Sequence, residues 1–305
     1  MSSLAAVGLL AAGIVLVVGG AEAFFDGVIA VAARLRISAF AVTALVSGFE
    51  VENLAAGIAA NAKGLPDAAA GTFLGGATFL ALAVTGLAAA ARPIVASLPR
   101  PVFLWAAASP LPLLALALDG RLTRLDGALL VAWFALAMTG LAHSGRNLLA
   151  HEGAHRKRLP LVRLLAGLGL LFAGGELLGD GIRRAVTRLG ASEALLGNTV
   201  VAASVEAEEV GRVAVPARRG RGDVALGNIL GTLVHFLALN AGVIALVRPL
   251  ELDGVTRALH LPVAAAATAL VAALTARRSG LGRLQASLLL TLYAGYVAAA
   301  VAVSV

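Results

Sequence analysis

Two short runs of the 305-residue chain carry acids and an amide inside otherwise apolar sequence: Glu50, Glu52 and Asn53 in GFEVEN, and Glu206, Glu208 and Glu209 in SVEAEE. Residues three apart on a helix share a face, so Glu50 with Asn53 and Glu206 with Glu209 would offer three carboxylates and one amide where two such helices converge. All are hard oxygen donors, suited to calcium, magnesium, manganese, sodium or protons rather than to copper or a structural zinc. Three carboxylates packed together also repel, so at least one is expected to take up a proton readily and could carry an exchanged one.

Such a cluster must be positioned by helices in a membrane. The chain is 60% hydrophobic and 13% charged, with a mean hydropathy of +0.93, well above the apolar content of soluble domains. The formal charge of +7 comes from Arg residues in short connectors, where they orient helices and meet anionic lipid, so nucleic acid is not an expected partner. With no Cys, disulfides, thiolate metal sites and Cys nucleophiles are excluded. The run Leu4 to Gly20 has no basic leader and further spans follow it, so it reads as a helix rather than a cleaved signal.

Spans of about 20 residues are needed to cross the hydrocarbon, and ten fit near 4–33, 38–62, 67–91, 100–119, 124–142, 161–187, 192–216, 222–247, 257–276 and 281–303. The sizeable connector 144–160 divides the chain into five helices in 1–143 and five in 161–305. An odd number inverts the second half. Basic residues concentrate on one side, among them Arg34, Arg36, Arg156, Lys157, Arg158, Arg218 and Arg219. The positive-inside rule then makes the connector cytoplasmic and puts both termini outside an inner membrane.

The halves are copies. Glu50 precedes Gly71 of AAAGTFLGG by 21 residues, and Glu206 precedes Gly227 of VALGNILGT by the same 21. Gly20, Glu22, Asp26 and Gly27 recur as Gly174, Glu176, Asp180 and Gly181. Repeated Gly-interrupted, acid-bearing helices expose backbone carbonyls and helix ends to a central cation.

These residues resemble the cation/calcium exchanger superfamily of sodium/calcium and cation/proton antiporters. The family's first helix is echoed by Gly20-Ala21-Glu22 through Asp26-Gly27, and its third-helix motif by Ala225-Leu226-Gly227-Asn228-Ile229-Leu230-Gly231-Thr232, with Ala70 to Gly76 a looser copy. The resemblance implies an all-α membrane protein of ten helices in two inverted five-helix repeats, working as a secondary antiporter by alternating access. It implies calcium first as the divalent substrate, exchanged for protons or sodium, with no cofactor and no enzyme activity. It also puts the family's metal-binding Glu on Asn53 and Glu209. The family's Ser becomes Glu50 and Glu206, and its helix-breaking Pro becomes Glu52 and Glu208. Its third-helix Asn or Asp falls on Leu80 and Phe236, where Thr232 and Asn240 could substitute. Carboxylates in place of hydroxyls favour proton over sodium coupling.

Other residues have plainer readings. Arg212 follows Glu208 by four positions, the favourable orientation for a helical ion pair, so Glu208 reads as structural rather than ligating. Glu52 has Ala56 at that spacing and stays open between lining the pathway and pairing elsewhere. Glu22, Asp26, Glu176 and Asp180 lie toward helix ends, within reach of the interface, and His235 reads as a packing residue. His151-Glu152-Gly153-Ala154-His155 matches the zinc-protease pattern H-E-x-x-H. It runs into Arg156-Lys157-Arg158-Leu159-Pro160 with no apolar helix to hold it, so a basic surface loop is the better reading. A membrane scaffold that has lost transport is the remaining alternative. Inorganic cations and the bilayer are the expected partners, and a monomer suffices.

Overall fold

The computed structural model describes residues 3–48, 51–145, 159–188, 207–277 and 280–303. Among them, seven helices are long and apolar enough to cross a membrane: Gly8–Leu35, Pro66–Ala91, Arg124–Gly145, Pro160–Leu178, Gly222–Val247, Thr256–Thr275 and Arg283–Val303. The expected 38–62 span separates into helices Ala39–Val46 and Val51–Ala62, with a turn at Ser47 and Gly48. The expected 100–119 span divides into Arg100–Ala108 and Leu111–Leu116. Pro110 at that joint has no N–H to continue the helical ladder. Of the expected 192–216 span, the helix Ala207–Arg218 is described. Most of the 144–160 connector, with the whole H-E-x-x-H match, lies outside the described residues.

The first helices of the two halves, Ser3–Leu35 and Pro160–Arg188, pack along their length. Glycines spaced by seven, Gly13, Gly20 and Gly27, make this possible. A Cβ on Gly20 would stand 2.7 Å from the Leu171 nitrogen, and one on Gly27 2.5 Å from that of Leu164. From the other side, Gly167 lies under Phe24 and Gly174 under Val17, each with no room for a methyl group. Partner numbers fall as the chain rises, so these helices are antiparallel. Small residues that let backbones touch are how apolar helices associate where lipid removes the hydrophobic drive.

The third helices form the interior. Pro66–Ala91 and Gly222–Val247 are each 83% buried over their most apolar stretch, against 11% for Arg283–Val303 at the periphery. Both contain a π-helical turn, Phe79–Val84 in one and His235–Asn240 in the other, at the same place in the repeat. Single π turns within α-helices are frequent at functional sites. The halves also clasp one another. Arg121–Leu122 pairs antiparallel with Leu250–Glu251, and Ile94, the counterpart of Leu250, bridges to Leu281.

Candidate ion site

The second helices are short and cross between halves. Val51–Ala62 packs on Ala241–Val247 and the π turn His235–Asn240, while Ala207–Arg218 packs on Thr85–Ala91 and the π turn Phe79–Val84. Ala39–Val46 lies against Gly222–Val234. There the G-N-x-x-G motif gains a physical meaning. A Cβ on Gly227 would stand 2.8 Å from the Phe40 carbonyl oxygen, and one on Gly231 2.5 Å from the Ala44 Cα. The motif lets the first half's second helix touch the third helix of the other half and brings its C-terminal end, at Ser47, to the centre.

At that centre stands an ion pair network. Arg212 donates from Nη2 to Glu208 Oε1, from Nη1 to Glu209 Oε1 at 2.5 Å, and from the same Nη1 to the Ser47 carbonyl at 2.8 Å. Asn228, on the third helix, donates from Nδ2 to the other oxygen of Glu209. Glu208, Glu209 and Arg212 are all buried, Glu209 completely. Two acids thus share one guanidinium, whose charge is fixed at any working pH. The Ser47 carbonyl terminates a helix, where the backbone dipole is negative and a cation is favoured.

The expected pair of Glu208 with Arg212 is present, but the same guanidinium also holds Glu209, the residue taken for the family's metal ligand. Asn228 and Ser47 join the site as well. The spacing of three between Glu209 and Arg212 was a readable signal, as was the Asn of ALGN; the reach to Ser47 was not. Asn53 is buried on Val51–Ala62, and Thr232 lies one turn beyond Asn228 on the same helix. Asn240 closes the π turn on which Val51–Ala62 packs. Asn228 Oδ1, Thr232 Oγ1 and Asn240 Nδ2 are buried with no hydrogen-bond partner among the described residues. Glu50 and Glu206 lie outside the described residues, and the described side chains of Val51–Ala62 begin at Asn53. Among the described residues no three His, Asp or Glu side chains converge to hold a metal.

His235 is buried at the same junction. Its Nδ1 lies 2.9 Å from the Gly231 carbonyl, its ring meets Phe134 edge-on at 4.7 Å, and Gly48 sits so close beneath it that a Cβ there would overlap the ring. Of the acids near the helix ends, Glu22 and Asp26 have basic partners: Arg219 reaches Glu22 at 3.3 Å and Asp26 at 3.2 Å, and Arg163 approaches Asp26 at 3.7 Å.

Long apolar helices around a buried charged cluster define a multi-pass membrane protein. The chain belongs to the family described as sodium/calcium exchanger protein, whose model matches residues 5–142 and again 159–302, one match for each half. This family comprises transporters rather than enzymes. Relatives include "Putative antiporter CaxA" of Alkalimonas amylolytica, 28% identical over 303 residues and covering 93% of this chain and 95% of that protein. "Inner membrane protein YrbG" of Escherichia coli K12 is 27% identical over 278 residues, 82% of each chain. The fold is shared with the sodium-calcium exchanger NCX_Mj soaked without sodium and calcium, at a TM-score of 0.83 and 24% identity over 97% of this chain and 99% of that one.

Proposed function

We propose that this chain is a secondary antiporter that exchanges a divalent cation, calcium first, for protons or sodium by alternating access. The observation that carries this reading is that Glu209 of one half and the Ser47 carbonyl at a helix end of the other converge on the same buried Arg212 nitrogen. Helix ends and acids meeting from two repeats are the physical form of a midplane cation site. The antiparallel first helices, the matched π turns and the crossed second helices support two inverted five-helix units, 1–143 and 161–305, joined by a cytoplasmic connector at 144–160, with both termini outside an inner membrane. Glu50, Asn53, Glu206 and Glu209 are the proposed ligands, with Glu52, Glu208, Thr232 and Asn240 around them.

The test is ion flux in proteoliposomes across a panel of cations, with sodium and pH gradients imposed separately. Divalent flux driven by either gradient supports the exchanger. A second reading, a scaffold that has lost transport, is favoured by the guanidinium already seated on Glu209. Absence of flux for every cation and gradient would select it.

A further inference from the structure

We propose that Arg212 is a tethered competitor of the transported cation: its guanidinium fills the cation position between Glu209, Glu208 and the Ser47 carbonyl, and a divalent ion binds at Glu209 only when it has left. The inference rests on the exchanger reading of this site. Its basis is the donor set on the guanidinium. Nη1 donates to one carboxylate oxygen from the second half at 2.5 Å and to one helix-terminal carbonyl from the first half at 2.8 Å, and Nη2 donates to a second carboxylate. A backbone carbonyl at a helix end together with carboxylates from the facing repeat is the set that a metal ion would take in a broken-helix site.

A second observation points to the same place. Asn228 is completely buried and already bonded through Nδ2 to Glu209, yet its amide oxygen has no hydrogen-bond partner among the described residues. That oxygen is a hard donor beside the acid, available to an ion and useless to a guanidinium held on the opposite carboxylate oxygen. A divalent ion cannot share Glu209 with Arg212 at this range, because like charges a few ångströms apart in a buried site repel strongly. One of them must move. The guanidinium is on the longer stem, while Glu209 is also held by Asn228 through its other oxygen. The repeat confines the device to one half: the counterpart of Arg212 is Ala56, just as Asn53 stands opposite Glu209. The half that keeps the acid is the half that carries its competitor, so the resident charge sets how tightly an external ion is held.

The experiment is calcium binding to purified full-length protein by titration calorimetry, for the wild type, Arg212→Gln, Arg212→Lys and the double variant Glu208→Gln/Arg212→Gln. The double variant removes the guanidinium together with one acid, so it remains informative where the single variant does not fold. Arg212→Gln and the double variant should bind calcium about tenfold or more tightly than the wild type, while Arg212→Lys, which keeps the charge, should stay within about threefold of it. Calcium affinity in the double variant equal to or weaker than wild type overturns the proposal and leaves the exchanger reading standing if the wild type binds and transports. No binding in any variant overturns it too, and only a blank cation-flux panel would then remove the exchanger reading as well.

Discussion

Arg212 and Ser47 are 165 residues apart in the chain and joined by a 2.8 Å hydrogen bond from the guanidinium to the carbonyl. This contact ties the second helix of one half to the end of the second helix of the other. On the proposed exchanger reading, a cation entering there competes for oxygens already in use.

Replacing Glu209 or Glu206 by Gln should each cut divalent flux about tenfold or more while the protein stays folded, because the amide keeps the shape and removes the charge. For Glu209→Gln, Arg212 retains Glu208 as its partner. Flux in proteoliposomes, alongside the elution profile in detergent, is the check. Wild-type rates in both variants would move the ion site elsewhere.

The coupling ion should be the proton. The sequence resemblance puts Glu50 and Glu206 at the family's hydroxyl positions, and carboxylates bind protons far more readily. Divalent flux should therefore run on a pH gradient without sodium and change steeply with pH. Flux that needs sodium and is flat from about pH 6 to 9 would assign sodium instead.

The antiparallel glycine seam between the first helices should be intolerant of side chains. A Cβ at Gly167 would lie 2.3 Å from the Phe24 nitrogen, whereas Gly19 has nothing within 4 Å. Gly167→Val should lower thermal stability in detergent by about 1–3 kcal/mol or more, and Gly19→Ala should leave it nearly unchanged. Equal effects at the two positions would show that the seam does not form.

His151 and His155 should be dispensable. The double change to Ala should leave flux intact, and the purified protein should hold no stoichiometric zinc by elemental analysis. Tightly bound zinc that disappears in this variant would restore the metalloprotease reading.

Asp253 lies in the connector before Thr256–Thr275 and accepts the Thr256 N–H at 2.6 Å. Burial pushes its carboxyl up, but hydrogen bonds from Thr256 and Val255 outweigh this and hold it below the ordinary value of 3.8. A lowered acid stabilises the fold above its unfolded pKa and loses that contribution as pH falls through the folded one. Asp253→Ala should cost about 1 kcal/mol at pH 7, with the difference from wild type closing in strongly acidic buffer. A gap that persists unchanged there would mean the carboxylate charge is not what stabilises the connector.

The sequence by itself determined the membrane character, the duplication and the family. Each follows from local quantities: the apolar content of long runs, the 21-residue interval from Glu50 to Gly71 that recurs from Glu206 to Gly227, and the ALGNILGT motif. It also showed the pairing of Glu208 with Arg212, because a spacing of four on one helix fixes neighbours without any tertiary information. The tertiary structure decided the rest. Whether Arg212 would also hold Glu209 depended on where the Ser47 carbonyl and Asn228 came to lie, and those are placed by the packing of Ala39–Val46 on Gly227 and Gly231. The division of 38–62 at Ser47 and Gly48 was likewise invisible to hydropathy, which sees one apolar run. A spacing rule reaches only as far as one helix. The charge balance of a buried site is a sum over helices from both halves, and only their packing brings those charges within a few ångströms of one another.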